Sequence, residues 1–224
     1  MANLRIGKYG GHYYGSFFNE SVALTNEEMK LNARYLYEVL HYIHGWSMEA
    51  VSGLLGNAQH ESSLNPGRWQ SNKVGVGPAY GLVQWDPYSK YTGWCASNGY
   101  SDPSEMDSNI ARIIYEVDNN QQYYKTPNYP ETFREFTQST SDPYYLACAF
   151  AWNYERSYVV LYGSEAEQEA LRQKRGGSAE YWYNYLCDYY SNITPDPDNP
   201  EPEPQPTPTK KKQLSLMMMY MATR

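Results

Sequence analysis

The strongest constraint on this fold is a helix-start signal repeated along the chain, each copy followed by an apolar stripe at helical spacing. Thr25-Asn26-Glu27-Glu28 is a capping box, whose hydroxyl and carboxylate satisfy backbone donors that a helix start leaves open. Met29, Ala33, Leu36, Leu40 and Ile43 then share one face, and Gly45 predicts the stop. Ser47 is placed to cap a second helix with Val51, Leu54, Leu55 and Ala58 inside. It should end near Asn65-Pro66, because the residue before proline is pushed out of the α region. A third helix is expected from Asp102-Pro103, with Met106, Ile110, Ile113, Ile114 and Val117 as its stripe. A fourth should follow Ser141-Asp142-Pro143, with Leu146, Ala147, Phe150 and Ala151 facing inward. Ser164 to Glu167 is another capping box; its helix is expected to stop at Gly176-Gly177, and Ser178 to open a last one through Trp182, Tyr185, Leu186 and Tyr189. No comparable series of alternating strands occurs. The fold class is therefore mainly α, with a long irregular segment from Asn65 to about Asp86.

That pattern ends sharply near residue 191. Thr194 to Thr209 reads TPDPDNPEPEPQPTPT, without an apolar anchor, and such a segment favours extended polyproline II and acts as a semi-rigid spacer. The expected organisation is an N-terminal extension over 1–23, a helical domain over 24–191, a disordered proline-rich linker over 192–212 and a short tail over 213–224, the possible start of a missing domain. The linker carries Asp196, Asp198, Glu201 and Glu203, and the tail carries Lys210, Lys211, Lys212 and Arg224, so residues 1–191 hold the whole net charge of −7. An acidic chain without a basic stripe cannot displace counterions from a phosphate backbone, so nucleic acid is excluded as main partner. No apolar run is long enough to span a bilayer, and the first residues lack the apolar core of a secretory signal. Three cysteines, Cys95, Cys148 and Cys187, cannot all pair and suit no zinc site. His41 and His44 have no third ligand at a helpful spacing, so neither a metal nor a cofactor is expected. Tyrosine supplies 25 of the 36 aromatics; its apolar body and polar tip suit surfaces that bind hydroxyl-rich ligands.

Three places can carry chemistry. Glu61 sits in the last turn of the second helix, facing the negative end of the helix dipole. Packing of that helix would add desolvation, and both effects favour a protonated carboxyl able to donate a proton near neutral pH; a solvated helix-end charge is the plainer alternative. Gly75, Gly77 and Gly81 interrupt GVGPAYGLVQW, where the backbone can approach a ligand closely. Tyr80, Gln84 and Trp85 there supply stacking faces and an amide, as the wall of a sugar cleft would. Trp152, Asn153, Tyr154, Glu155 and Arg156 end the fourth helix; either they line a cleft floor, or Glu155 and Arg156 form a structural ion pair.

The order of these elements resembles the lysozyme superfold as goose-type lysozymes and lytic transglycosylases present it. Their Glu-Ser pair, Gly-Leu-x-Gln motif and aromatic-Asn motif match Glu61-Ser62, Gly81-Leu82-Val83-Gln84 and Trp152-Asn153, with 69 positions from Gln84 to Asn153. A closer resemblance is to the phage tail lysozyme family, through Leu54-Leu55-Gly56-Asn57, Glu61-Ser62, Asn65-Pro66-Gly67-Arg68-Trp69-Gln70, Gly77-Pro78, Tyr80 to Trp85, and Asn153-Tyr154-Glu155-Arg156. It covers roughly Leu24 to Tyr190. The resemblance implies a tail-borne hydrolase of peptidoglycan that cleaves the β-1,4 bond from N-acetylmuramic acid to N-acetylglucosamine. It implies Glu61 as catalytic acid, with Tyr80, Gln84, Trp85, Asn153 and Tyr154 binding substrate. A second acid would be Asp86 or Glu155; without one, the substrate's acetamido group would act and the products would be 1,6-anhydro sugars. A non-catalytic wall-binding module is the reading from a different class. Glycan strands, and other tail proteins, are the expected partners. The family often continues through a linker into a peptidase.

Overall fold

The computed structural model describes residues 1–192, so the tail and all but the first residue of the expected linker lie outside the described residues. Within them the chain forms a two-stranded antiparallel hairpin, β1 (Asn3–Ile6) and β2 (His12–Gly15), followed by helices alone. These are α1 (Asn26–Tyr37), α2 (Met48–Ser62), α3 (Ser89–Ser97), α4 (Met106–Asp118), α5 (Phe133–Gln138), α6 (Pro143–Phe150), α7 (Tyr158–Tyr162) and α8 (Glu165–Ser191). Two π-helical turns, Glu38–Ile43 and Ala151–Glu155, extend α1 and α6. No helix among the described residues is long and apolar enough to cross a membrane.

Four of the predicted caps form, while the third helix begins later than expected, at Met106, after Glu105, whose side chain makes no capping bond. Thr25 and Ser164 make complete capping boxes with Glu28 and Glu167, Ser47 accepts from the Ala50 amide, and Asp142 caps α6 with Pro143 in its first turn. A cap contributes about 1 kcal/mol, whereas truncating a core leucine costs about 2–5 kcal/mol. Packing around α2 therefore dominates. That helix is buried without interruption from Ala50 to Ala58, and it lies among α1, α6 and α8. Its glycines make the crossings close. A Cβ on Gly53 would come within 3.0 Å of the Leu146 backbone of α6, and one on Gly56 within 2.7 Å of the Arg175 carbonyl of α8.

Three features depart from the sequence reading. The hairpin was not foreseen, and it ties the first residues into the helical body. Asn65 accepts from the amides of Ser16 and Gly67 and donates to Ser16 Oγ and the Val22 carbonyl, all at 2.7–3.0 Å. Arg5 pairs with Asp102 at 2.7 Å. Second, α8 runs through Gly176-Gly177 as one helix of 27 residues. Gly176 is there for closeness, since a Cβ would fall 2.2 Å from the Tyr144 ring, while Ser178 bonds His60 instead of opening a helix. Third, α3, α5 and α7 are short elements that the stripes did not announce.

The segment after α2 is irregular, as its proline and glycines imply. Isolated bridges join Trp69 to Tyr80 and Tyr80 to Trp85. Residues 71–78 are exposed, whereas 79–83 and Trp85 are buried.

Candidate active site

Glu61 leaves the last turn of α2 with its side chain about one fifth exposed. Its carboxylate is ion-paired to Arg175 of α8. The same guanidinium donates to the Asn57 carbonyl, one turn earlier on α2, at 2.6 Å. The α2–α8 crossing at Gly56 therefore fixes the position from which the arginine reaches the acid. The sequence reading weighs the helix dipole and desolvation on Glu61 and names no cation beside it; the structure places Arg175 there.

Behind that pair lies Glu155, last residue of the second π turn. The residue keeps some surface, but its Oε1 is sealed from solvent and lacks a hydrogen-bond partner. Burial first, and then the negative charge of Glu61, push its carboxyl well above the usual range, against a smaller opposing effect of Arg175. Arg156 does not pair with it. Its backbone is left-handed (φ 50°) and its guanidinium lies 4.9 Å from the Tyr124 ring centre. On the far side, buried Glu116 of α4 accepts from Trp85 Nε1 at 3.0 Å, Tyr154 hydroxyl at 2.6 Å and Arg112 Nε at 2.9 Å. Desolvation raises the Glu116 carboxyl, partly offset by those three donors. Beside Glu61, His60 meets Ser178 Oγ at 2.9 Å. Burial, then the positive charges of Arg175 and Lys174, bring its pKa down to about 4.

Ser62 links the helix end to the glycine-rich segment, its hydroxyl donating to the Leu82 carbonyl at 2.7 Å. Gly81 takes a φ of 94°, and a Cβ on it would lie 2.9 Å from the Trp85 ring. The motif is thus tied to the end of α2.

Several side chains assigned to sugar contact prove to be interior. Tyr80 is fully buried beside Trp69 and Phe18. Trp85 stacks on Tyr91 at 4.3 Å, and Tyr154 on Phe150 at 4.4 Å. Asn153 is also fully buried: its Nδ2 donates to the Tyr129 carbonyl and its Oδ1 accepts from Thr126 Oγ1. These residues belong to the packed interior and have no free face in this structure. Gln84 is half-buried at φ 51°, and its Nε2 donates to the carbonyls of Arg68 and Gly81. Asp86 is exposed, with Lys90 donating to its carbonyl oxygen. Neither of the two cavities described, one beside Tyr9 and Tyr35 and one beside Tyr185 and Tyr189, is lined by Glu61. Among the described residues no group of three side chains is arranged to hold a metal ion.

Residues 31–186 match the phage tail lysozyme family. The chain belongs to that family. Its match spans the acid, the arginine and the π-turn glutamate together. Over 173 residues the chain is 39% identical to morphogenesis protein 1 of Bacillus phage B103, which covers 76% of this chain and 43% of that protein. The chain therefore spans less than half the length of that curated relative. Arg175 and Glu116 escaped the sequence reading, since each belongs to a helix otherwise read only for its apolar stripe. The signal for Arg175 was its place before Gly176-Gly177, where the helix backbone comes closest to its neighbours.

Proposed function

We propose that this chain digests the bacterial wall, cleaving the β-1,4 bond from N-acetylmuramic acid to N-acetylglucosamine with Glu61 as proton donor. The observation that carries this is the place of Glu61 at the end of α2, beside the desolvated carboxyl of Glu155, within a member of the phage tail lysozyme family; the Arg175 pair by itself favours the ionised form, so proton donation requires that bound glycan weaken that contact. Glu61 protonates the leaving glycosidic oxygen while positive charge grows at the anomeric carbon. General-acid help of this kind is typically worth on the order of 10²–10⁴-fold. Arg175 is a positioning residue, fixing the carboxylate from the buried side.

A glycosidase using two acids places the second carboxyl about 5–9 Å across the bond. Asp86 is free to approach a bound glycan, and Glu155 is close to Glu61 but sealed at Oε1. That sealing favours a second reading, in which the substrate's acetamido oxygen closes on the anomeric carbon and the sugar's own 6-hydroxyl then displaces it, losing its proton to the now ionised Glu61 and giving a 1,6-anhydro end. In either case the glycan would be met by the exposed 71–78 stretch and the partly exposed Gln84. The chain acts from the virion, at the phage tail, on peptidoglycan, with other tail proteins as neighbours.

Mass spectrometry of purified wall digested by the chain tests this. New reducing ends on muropeptides are expected, and anhydro ends would install the transglycosylase. Absence of any soluble glycan fragment would leave only the wall-binding module.

A further inference from the structure

Three tyrosines, Tyr181, Tyr185 and Tyr189, stand one turn apart on α8 and form a ladder toward its end. Tyr181 is 49% exposed, and Tyr185 and Tyr189 are half-buried. Tyr185 and Tyr189 line a hollow of about 400 Å³ together with Asp188 and Asn192. Asn192 is also the last residue the structure describes. The proline-rich segment begins two positions later, so the chain leaves the fold from the wall of this hollow.

Cations attend the ladder. Arg34 of α1 lies 4.5 Å from the Tyr189 ring centre, and its Nη1 donates to the Tyr185 hydroxyl at 2.9 Å. Lys30 Nζ lies 5.7 Å from the Tyr185 ring centre, although it also pairs with Glu27. Against these stand the carboxylates of Glu27 and Asp188. Arg34 has no ion pair among the described residues, and the sequence that follows Asn192 carries Asp196, Asp198, Glu201 and Glu203.

We propose that the acidic, proline-rich segment of this same chain docks along the Tyr181–Tyr185–Tyr189 ladder. Grooves lined by aromatic side chains take polyproline helices well, because the ligand is already extended and loses little entropy on binding. Tyr181 to Tyr189 spans about 12 Å of helix, which roughly four residues of polyproline II cover at 3.1 Å each. The segment from Pro195 to Pro204 has five prolines with the four acids between them. It is long enough to turn back at residues 192–194 and lie along the ladder, bringing its carboxylates to Arg34 and Lys30. Docking there fixes the direction in which whatever follows the segment is carried. The inference is independent of the role of Glu61.

The test is backbone relaxation of the ¹⁵N-labelled full chain, read at Asp196, Asp198, Glu201 and Glu203. Order parameters above about 0.6, outside the flexible range, are expected in the unaltered chain. They should fall below that value in Y185S/Y189S, with the amide spectrum of residues 48–175 unchanged and shifts among the others confined to the neighbours of the two rings on α1 and α8. A second variant, D196N/D198N/E201Q/E203Q, leaves the folded part untouched and should lower the order parameters too. Values below 0.6 in the unaltered chain, or values that neither variant moves, overturn the proposal. Order that grows with chain concentration would put a second copy on the ladder, and tyrosine signals that respond only to added wall fragments would put glycan there; both contradict it.

Discussion

Arg175 reaches Glu61 across 114 positions of sequence, and that contact decides what each acid in the site can do. The arginine sits on a rigid helix at its closest approach to α2, so it controls where the Glu61 oxygens point. Misplacing a reacting group by about 1 Å can cost 10²-fold. R175M should therefore lower kcat on purified wall on the order of 10–100-fold with KM little changed, and R175K should recover part of the loss. Equal loss in both variants, or loss confined to KM, would assign the arginine to glycan binding. Glu155 gives the complementary case. Its carboxyl titrates higher in the folded chain than in the unfolded one. The stability it contributes is present below the ordinary glutamate range and is lost as pH rises through the raised folded value. E155Q mimics the protonated form, so its unfolding free energy should fall less steeply with rising pH than that of the unaltered chain. Wall clearing by E155Q should stay within a few-fold; abolished clearing with the fold intact would instead make Glu155 the second acid.

At the scale of elements, α8 shows how two identical neighbours differ. Gly176 abuts the Tyr144 ring, whereas a Cβ on Gly177 would meet nothing within 4 Å. G176A should destabilise by about 1–3 kcal/mol through overpacking. G177A should stabilise by about 0.5–1 kcal/mol, because alanine is the better helix former at an open site; urea unfolding of both measures the contrast. The same pair explains what the sequence could and could not tell. Caps and stripes are local, so α1, α2, α4 and α6 were legible, as was the break at Asn65-Pro66. A glycine pair reads alike whether it ends a helix or lets a tyrosine lie against it, and only the partner element decides. The site was legible to the same depth. Glu61 and the Gly81–Gln84 motif declared themselves by position, but Tyr80, Trp85, Asn153 and Tyr154 have compositions suited equally to gripping a sugar or filling a core. Their burial depends on α4, α5 and the 124–129 stretch folding over them, which no single segment encodes.

For the whole molecule, the hairpin and the irregular segment are joined through Asn65, whose side chain bonds Ser16 and Val22. Removing residues 1–23 strips those partners and uncovers Trp69, which donates to the Phe18 carbonyl. The shortened chain should lose at least about 2 kcal/mol, or roughly 4–8 °C in Tm, seen by calorimetry. An unchanged Tm would make the first 23 residues an appendage. All of these contacts serve one arrangement, in which α2, α6 and α8 pack together and hold Glu61 at the end of α2. The most direct measurement is release of glycan from purified cell wall by E61Q beside the unaltered chain, with thermal unfolding recorded for both. Release should fall to background in E61Q while Tm holds within a few degrees. Release at the original rate by a folded E61Q would show that the wall is cut, if at all, by some other group.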